Sequence, residues 1–359
     1  MIDEPVLDRS VRIEDDAVLI LDRRAFPHRE QWLTARSAAE VADAIRRMVT
    51  QSSGPTYAAC AALVLTGRQV ASAAARLDPL TARSTLRAAG TRLVEARPTN
   101  NSVRDAVAAV LDRLSELPEQ ADTATIAAAA EQAATGQAEA YRSRSRMLAR
   151  HAVGLLPDGS RLLTHCWMDT YLIELVRAAD AAGKQYTYVA TETRPYLQGA
   201  RLTAHTLAEM GQQVTLITDG MVAAVLSPHS TLGPISALVT AADRVSMDGH
   251  VFNKVGTLGA AVAADAFGVP FYALIQAPDP QAPTAAEVVV EERDGTEVLY
   301  ALTERTASPL VTRGHYPAFD VTPPRYTALI VTDRGPFEPA RVSEYYSGEK
   351  ARGEQAVRG

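Results

Sequence analysis

From residue 162 onward the chain alternates short apolar runs with helical stretches, and few folds accept that rhythm. The runs are Leu162–Thr164, Tyr186–Thr191, Val214–Thr218, Ile235–Thr240 and Pro270–Ile275. Helices are expected between them, around 170–182, 199–210, 219–227 and 255–267. A strand spacing of roughly 25–30 residues is what right-handed βαβ crossovers produce. This half therefore reads as a Rossmann-like, doubly wound, mostly parallel sheet. Its clearest unit runs from Arg161 to Thr191. Leu162 and Leu163 end in Thr164-His165-Cys166, and a helix follows with Leu172, Ile173, Leu175 and Val176 on its buried side. Gly183 closes the helix before the next strand. Ligands of open parallel sheets bind just past the carboxyl ends of the strands. Cys166 stands where chemistry would sit.

The first half reads as mainly helical. Residues 11 to 26 suggest a small β-hairpin with Glu14-Asp15-Asp16 in its turn. Ser37 to Glu40 has the spacing of a capping box, and Val41, Ala44, Ile45, Met48 and Val49 recur at helical period after it. Gly54 and Pro55 read as a break before a second apolar helix from Tyr57 to about Leu65. Asp78-Pro79 opens a third helix, expected to reach about Ala89. Val103, Val107, Val110, Leu111 and Leu114 stripe a fourth, and Thr123 to Leu156 reads as one long helix. The expected division is an N-terminal helical domain with its hairpin (1–150), a Rossmann-like domain (151–345) and a frayed tail (346–359). Phe319 to Pro323 reads as a helix entry, with Thr322 as N-cap.

Composition narrows the function. The net charge is -6 and no basic stripe stands out, which argues against nucleic acid. No apolar run approaches the ~20 residues of a membrane span. Two distant cysteines, Cys60 and Cys166, make neither a disulfide framework nor a zinc pattern, and a reducing cytoplasm fits. No histidine pair has metal-ligand spacing, and no G-x-G-x-x-G follows a strand, so neither a metal nor a dinucleotide cofactor is expected.

The strand ends are polar: His165 and Cys166, Glu192 and Arg194, Asp219, Asp243, Gln276. Polar residues are common at strand ends for solvation alone. Cys166 reads equally as a packing residue or as a thiol activated by a helix dipole. His165, its neighbour, would point to the opposite face of an extended strand, which argues against a Cys-His dyad. Asp243 reads either as an N-cap or as a carboxylate whose proton affinity is raised in a dry pocket. Asn253-Lys254 precedes a helix whose free N–H groups would suit a phosphate.

Taken together, LLTHC (162–166), ETRPYLQGARLTA (192–204), VTLITDGM (214–221), AADRV (241–245), DGHVFNKVGT (248–257), EERD (291–294) and YPAFDVTP (316–323) resemble the methylthioribose-1-phosphate isomerase family. That family shares a superfamily with ribose-1,5-bisphosphate isomerases and the regulatory subunits of translation initiation factor 2B. The resemblance spans nearly the whole chain. It implies an aldose–ketose isomerase acting on a 5-modified ribose 1-phosphate, with Cys166 and Asp243 as the catalytic pair. It implies substrate contacts at Arg97, Gln198, Asn253 and Lys254, and at the backbone of Ser53 and Gly54. It also implies a homodimer. The anomeric oxygen of such a substrate carries phosphate, so the ring oxygen must be protonated. Asp243 would be that acid, kept neutral by a dry site. Hydrogen then moves from C2 to C1, either through an enol phosphate with Cys166 as base or by a direct hydride shift. The chain departs from the family where Gln51-Ser52-Ser53-Gly54-Pro55 replaces an R-G-A-P loop, and where Trp167 follows the cysteine. The competing implication is a non-catalytic sugar-phosphate or nucleotide sensor, like the initiation-factor subunits.

Overall fold

The computed structural model describes residues 4–98 and 100–347. Thr99 and most of the expected tail, 348–359, lie outside the described residues. The chain divides into two compact units, with the division between Ser143 and Arg144.

The unit from Glu4 to Ser143 opens with a three-stranded antiparallel sheet of β1 (Val11–Ile13), β2 (Val18–Leu21) and β3 (Trp32–Ala35). The expected hairpin is its first two strands. The third was not recognised because four residues with no clear alternation carry little signal. Helices α1 (Ala38–Arg46), α2 (Gly54–Ser72), α3 (Pro79–Ala96) and α4 (Asn101–Ser115) follow. Glu40 N–H donates to the Ser37 hydroxyl at 3.3 Å, and the Glu40 carboxylate reaches back to Arg36 N–H at 2.7 Å, one residue beyond the usual capping box. Gly54-Pro55 does not break the chain before α2. It begins that helix, because proline at the second helical position lacks only an N–H that has no helical partner there. Ala58, Ala59, Ala62, Leu63 and Leu65 of α2 are buried with Val41 and Ile45 of α1, Leu93 of α3 and Val107 of α4. Cys60 belongs to this apolar helix, and burial pushes its thiol up to about 12, so it is a packing residue. The long helix α5 (Thr123–Leu155) carries the chain past the division.

The second unit is built on seven strands: β4 (Arg161–Thr164), β5 (Thr187–Thr191), β6 (Gln213–Ile217), β7 (Ala237–Ala241), β10 (Phe271–Leu274), β14 (Leu329–Thr332) and β15 (Gly335–Phe337). Their spatial order is β15, β14, β10, β7, β4, β5, β6. All pairings are parallel except that of β15 with β14. All five expected strands belong to this sheet. Between them lie α6 (Thr170–Ala181), α7 (Ala204–Glu209), α8 (Val222–Leu226) and α9 (Thr257–Ala266). Strand order runs one way from β4 and the other way from β7, so the switch point falls between these two neighbours. Leu163, Val189, Leu238, Ala273 and Ile330 share one core with Val225 of α8 and Ala260, Ala261 and Ala264 of α9.

Two smaller sheets complete the unit. One is a ribbon of β11 (Tyr300–Ala301) and β12 (Glu304–Arg305). The other joins β8 (Arg244–Val245), β9 (Val251–Lys254) and β13 (Phe319–Thr322), all antiparallel. Phe319 to Thr322 is therefore a strand and not the helix entry expected from the sequence. Pairing with β9 satisfies its backbone, and Pro323 leads only into a short 3-10 turn, Pro324–Tyr326.

Leu163 sits in the middle of the core under the switch point and is fully buried. Leu163→Ala is expected to lower unfolding stability by about 2–5 kcal/mol, from lost burial plus the cavity left behind. Urea titration followed by circular dichroism measures this. A loss below about 1 kcal/mol would mean the core closes over the gap.

Candidate active site

Cys166 lies two residues beyond β4, and Asp243 two residues beyond β7. Because β4 and β7 pair directly, both residues lie at the same edge of the sheet, on either side of the switch point. Asp243 N–H donates to the Phe252 carbonyl at 2.9 Å, which ties it to β9, the strand carrying Asn253 and Lys254. Five of the residues named from the sequence, Cys166, Gln198, Asp243, Asn253 and Lys254, thus belong to one unit. The carboxylate of Asp243 and the ammonium of Lys254 both act electrostatically on the Cys166 thiol.

The loop after β4 leaves the strand sharply. Cys166 has φ 72° and Asp169 has φ 52°; after β5, Thr193 has φ 60° and Leu197 has φ 62°. Four of the seven non-glycine residues with positive φ among the described residues lie in these two loops. Each such residue costs about 1–3 kcal/mol and persists only where its surroundings hold it. Asp219, just past β6, is one such holder: its carboxylate accepts the N–H groups of Thr193 and Arg194 at 2.8 and 2.7 Å. Gly199 is another. A Cβ there would lie 1.9 Å from the Thr191 carbonyl oxygen, so only glycine lets the π-helical turn Gly199–Thr203 close onto β5.

Gln198 precedes that turn and is buried. Its Nε2 donates to Cys166 Sγ at 3.2 Å, while its Oε1 is buried without a hydrogen-bond partner among the described residues. Burial pushes the Cys166 thiol up, Asp243 adds to the rise, and Lys254 and the Gln198 hydrogen bond oppose it. The thiol is thus a protonated group at neutral pH, and not the dipole-activated thiolate offered as one reading of the sequence. Trp167 beside it is buried. His165 makes no dyad with the cysteine. Its Nδ1 meets the Thr191 hydroxyl at 2.7 Å and its Nε2 the Val255 carbonyl at 2.9 Å, and burial lowers its proton affinity.

Two expectations about charge are corrected. Asp243 is an exposed residue, so packing does not supply the dry pocket assigned to it. The helix start after Lys254 is also not free for phosphate. The N–H groups of Gly256 and Leu258 donate to the carboxylate of Asp320, at 2.7 and 3.1 Å. Asp320, on β13 and opposite Asn253, already occupies the anion position of α9. Asn253 donates to the Thr257 hydroxyl at 3.1 Å. The buried Lys254 ammonium lies 4.6 Å from the centre of the Phe319 ring and 5.9 Å from that of Tyr316. Arg293 faces the same two rings from 6.0 and 5.9 Å, with its Nε on Glu291 at 3.0 Å. Arg293, Tyr316, Phe319 and Asp320 had no role assigned from the sequence, although EERD and YPAFDVTP contain them. The available signal was a cation and two aromatics in motifs flanking a lysine strand, but only tertiary pairing brings them together. No group of three or more acidic, histidine or cysteine side chains suited to a metal occurs among the described residues.

Ser53, Gly54 and Arg97 belong to the other unit. Ser53 precedes α2 and Gly54 is its first residue; Arg97 follows the end of α3. A Cβ on Gly54 would lie 1.9 Å from the Thr50 hydroxyl. The buried guanidinium of Arg23 holds this loop by donating to the Gln51 carbonyl at 2.7 Å.

Residues 51–339 match the model of the initiation factor 2 subunit family. The methylthioribose-1-phosphate isomerase of Pelotomaculum thermopropionicum is 34% identical over 90% of this chain and 89% of its own. That of Anaeromyxobacter sp. (strain K) is 37% identical over 92% and 93%. Among solved structures, the translation initiation factor eIF-2B subunit delta of A. fulgidus superposes with a TM-score of 0.79 at 29% identity, covering 94% of this chain and 98% of that one. The 5-methylthioribose 1-phosphate isomerase of Pyrococcus horikoshii OT3 gives 0.78 at 28%, covering 95% of each.

Burial lifts the Asp320 carboxyl to about 6, against the pull of the Gly256 and Leu258 N–H groups and Lys254. The folded protein therefore holds this proton more tightly than the unfolded chain. Asp320 then costs stability as pH rises from about 4 to about 6, by up to about 3 kcal/mol. In urea titrations, Asp320→Asn is expected to gain stability relative to wild type across that window. A difference independent of pH refutes this.

Proposed function

The chain belongs to the methylthioribose-1-phosphate isomerase family and is a sugar-phosphate isomerase, and from that premise we propose that it converts a 5-modified ribose 1-phosphate to the ribulose 1-phosphate. Methylthioribose 1-phosphate is the first candidate substrate. Ribose 1,5-bisphosphate and 5-deoxyribose 1-phosphate are the others. The observation that carries the proposal is the Gln198 carboxamide. It binds the Cys166 sulfur through nitrogen and keeps a buried oxygen that has no hydrogen-bond partner among the described residues. Such an orphan acceptor is costly unless a ligand hydroxyl completes it. A sugar C2 hydroxyl beside the thiol does so.

In this mechanism Asp243 protonates the ring oxygen and the ring opens at C1. Asp243 is exposed in the free protein, and bound sugar covers it and sets its carboxyl beside the ring oxygen. The hydride on C2 then shifts to C1, the C2 hydroxyl returns a proton to the Asp243 carboxylate, and the ketose phosphate leaves. Cys166, being a thiol and not a thiolate, suits a group that excludes water and donates toward O2 better than one that strips hydrogen from C2. Lys254 supplies the positive charge for the phosphate through its side chain.

Purified protein is expected to turn over at least one of the three sugar phosphates, with phosphate remaining attached, as followed by 31P and 1H NMR. Asp243→Asn is expected to lower kcat by about 10³-fold or more with KM little changed. With substrate deuterated at C2, the label is expected at C1 of the product. Exchange into solvent would instead support the enol phosphate route. No ketose from any of the three would overturn the proposal.

A further inference from the structure

The peptide at Cys166 is held from both sides by threonine hydroxyls distant in sequence. Its N–H donates to Thr193 Oγ1 at 3.0 Å, and its carbonyl accepts from Thr203 Oγ1 at 2.5 Å. Both threonines are fully buried. Cys166 itself has a left-handed backbone that a side chain disfavours, so these two bonds act on a residue that would otherwise relax.

The bond to Thr193 continues further. Thr193 Oγ1 lies 3.2 Å from Thr191 Oγ1, Thr191 Oγ1 lies 2.7 Å from His165 Nδ1, and His165 Nε2 lies 2.9 Å from the Val255 carbonyl oxygen. Chemistry fixes the direction of every proton. A carbonyl oxygen only accepts, so Nε2 carries hydrogen. In the neutral ring Nδ1 is then an acceptor, and the Thr191 hydroxyl must donate to it. With its hydrogen used, Thr191 must accept from Thr193, and Thr193 in turn is left to accept from Cys166 N–H. A second proton on the imidazole would set two donors against each other and strand a hydroxyl. Burial of His165 works in the same sense. The far end of the chain is equally constrained. Gly256 has φ 107°, and a Cβ there would lie 2.8 Å from His165 Cε1. Val255 and Gly256 directly follow Lys254.

We propose that Thr193, Thr191 and His165 form a one-way hydrogen-bond relay from the Cys166 amide to the Val255 carbonyl, and that these three are positioning residues which hold the thiol in register with Lys254. The isomerase reading above is its premise as far as the kinetic consequence goes. The relay does not touch substrate. It acts by keeping the sulfur on Gln198, and a misplacement near 1 Å costs about 10²-fold in rate.

Two experiments test it. The first needs no turnover. In protein with 15N-labelled imidazoles, the His165 ring, assigned by loss of its signals in His165→Gln, is expected to be neutral at pH 7 with the proton on Nε2. A proton on Nδ1, or a charged ring, overturns the relay. The second is kinetic. Thr193→Val keeps the shape and removes the hydroxyl, and is expected to lower kcat by about 10- to 100-fold with KM changed less than about threefold. Thr193→Ser restores the hydroxyl and is expected to recover most of the rate. Thr191→Val is the second variant, and the double variant is expected to be little worse than either single one, because both cut the same chain. Wild-type kcat in Thr193→Val, or a Thr193→Ser as slow as Thr193→Val, overturns the proposal while leaving the isomerase reading intact. A wild-type protein without turnover removes the isomerase reading, and the imidazole measurement still decides the relay.

Discussion

Parallel pairing of β4 with β7 is the constraint on which the site depends. Each strand feeds a crossover in the opposite direction, so no helix can cover the edge between their carboxyl ends. That edge receives Cys166 from one strand and Asp243 from the other. The apolar core beneath, with Leu163 and Leu238 side by side, keeps the two strands in register. Burial energy spent in the core thus sets a distance at the surface.

Charge is arranged around this edge with unequal exposure. Asp320 is partly buried and neutralises the start of α9, and Lys254 is buried against aromatic rings. Asp243 is left open to water. The buried charges have fixed partners and hold the scaffold still. The open one faces water at the sheet edge.

Sequence reading succeeded where the signal was local. The βαβ rhythm after residue 162, the helix start at Asp78 and the long helix from Thr123 all follow from periodicity and capping chemistry within a few residues. It failed where a short segment depends on a distant partner. Phe319 to Thr322 offers a good helix-entry pattern in isolation, yet β9 claims it as a strand. Val251 to Lys254 likewise becomes a strand only because β8 and β13 flank it. Gly54-Pro55 was ambiguous for another reason, since the same pair suits a break and a helix start.

The chain alone determined that a doubly wound sheet would form and that a thiol and a carboxylate would stand at its strand ends, because hydrophobic period and strand direction are properties of neighbouring residues. Tertiary structure decided the state of those groups. Proton affinity depends on what surrounds a side chain from every direction. Cys166 is buried and protonated, Asp243 is exposed, and the helix start that looked open to phosphate is closed by Asp320 from more than sixty positions away. Hydrogen-bond direction in the chain from Thr193 to Val255 is of the same kind, since it follows from a carbonyl that the sequence places ninety residues from the histidine it fixes.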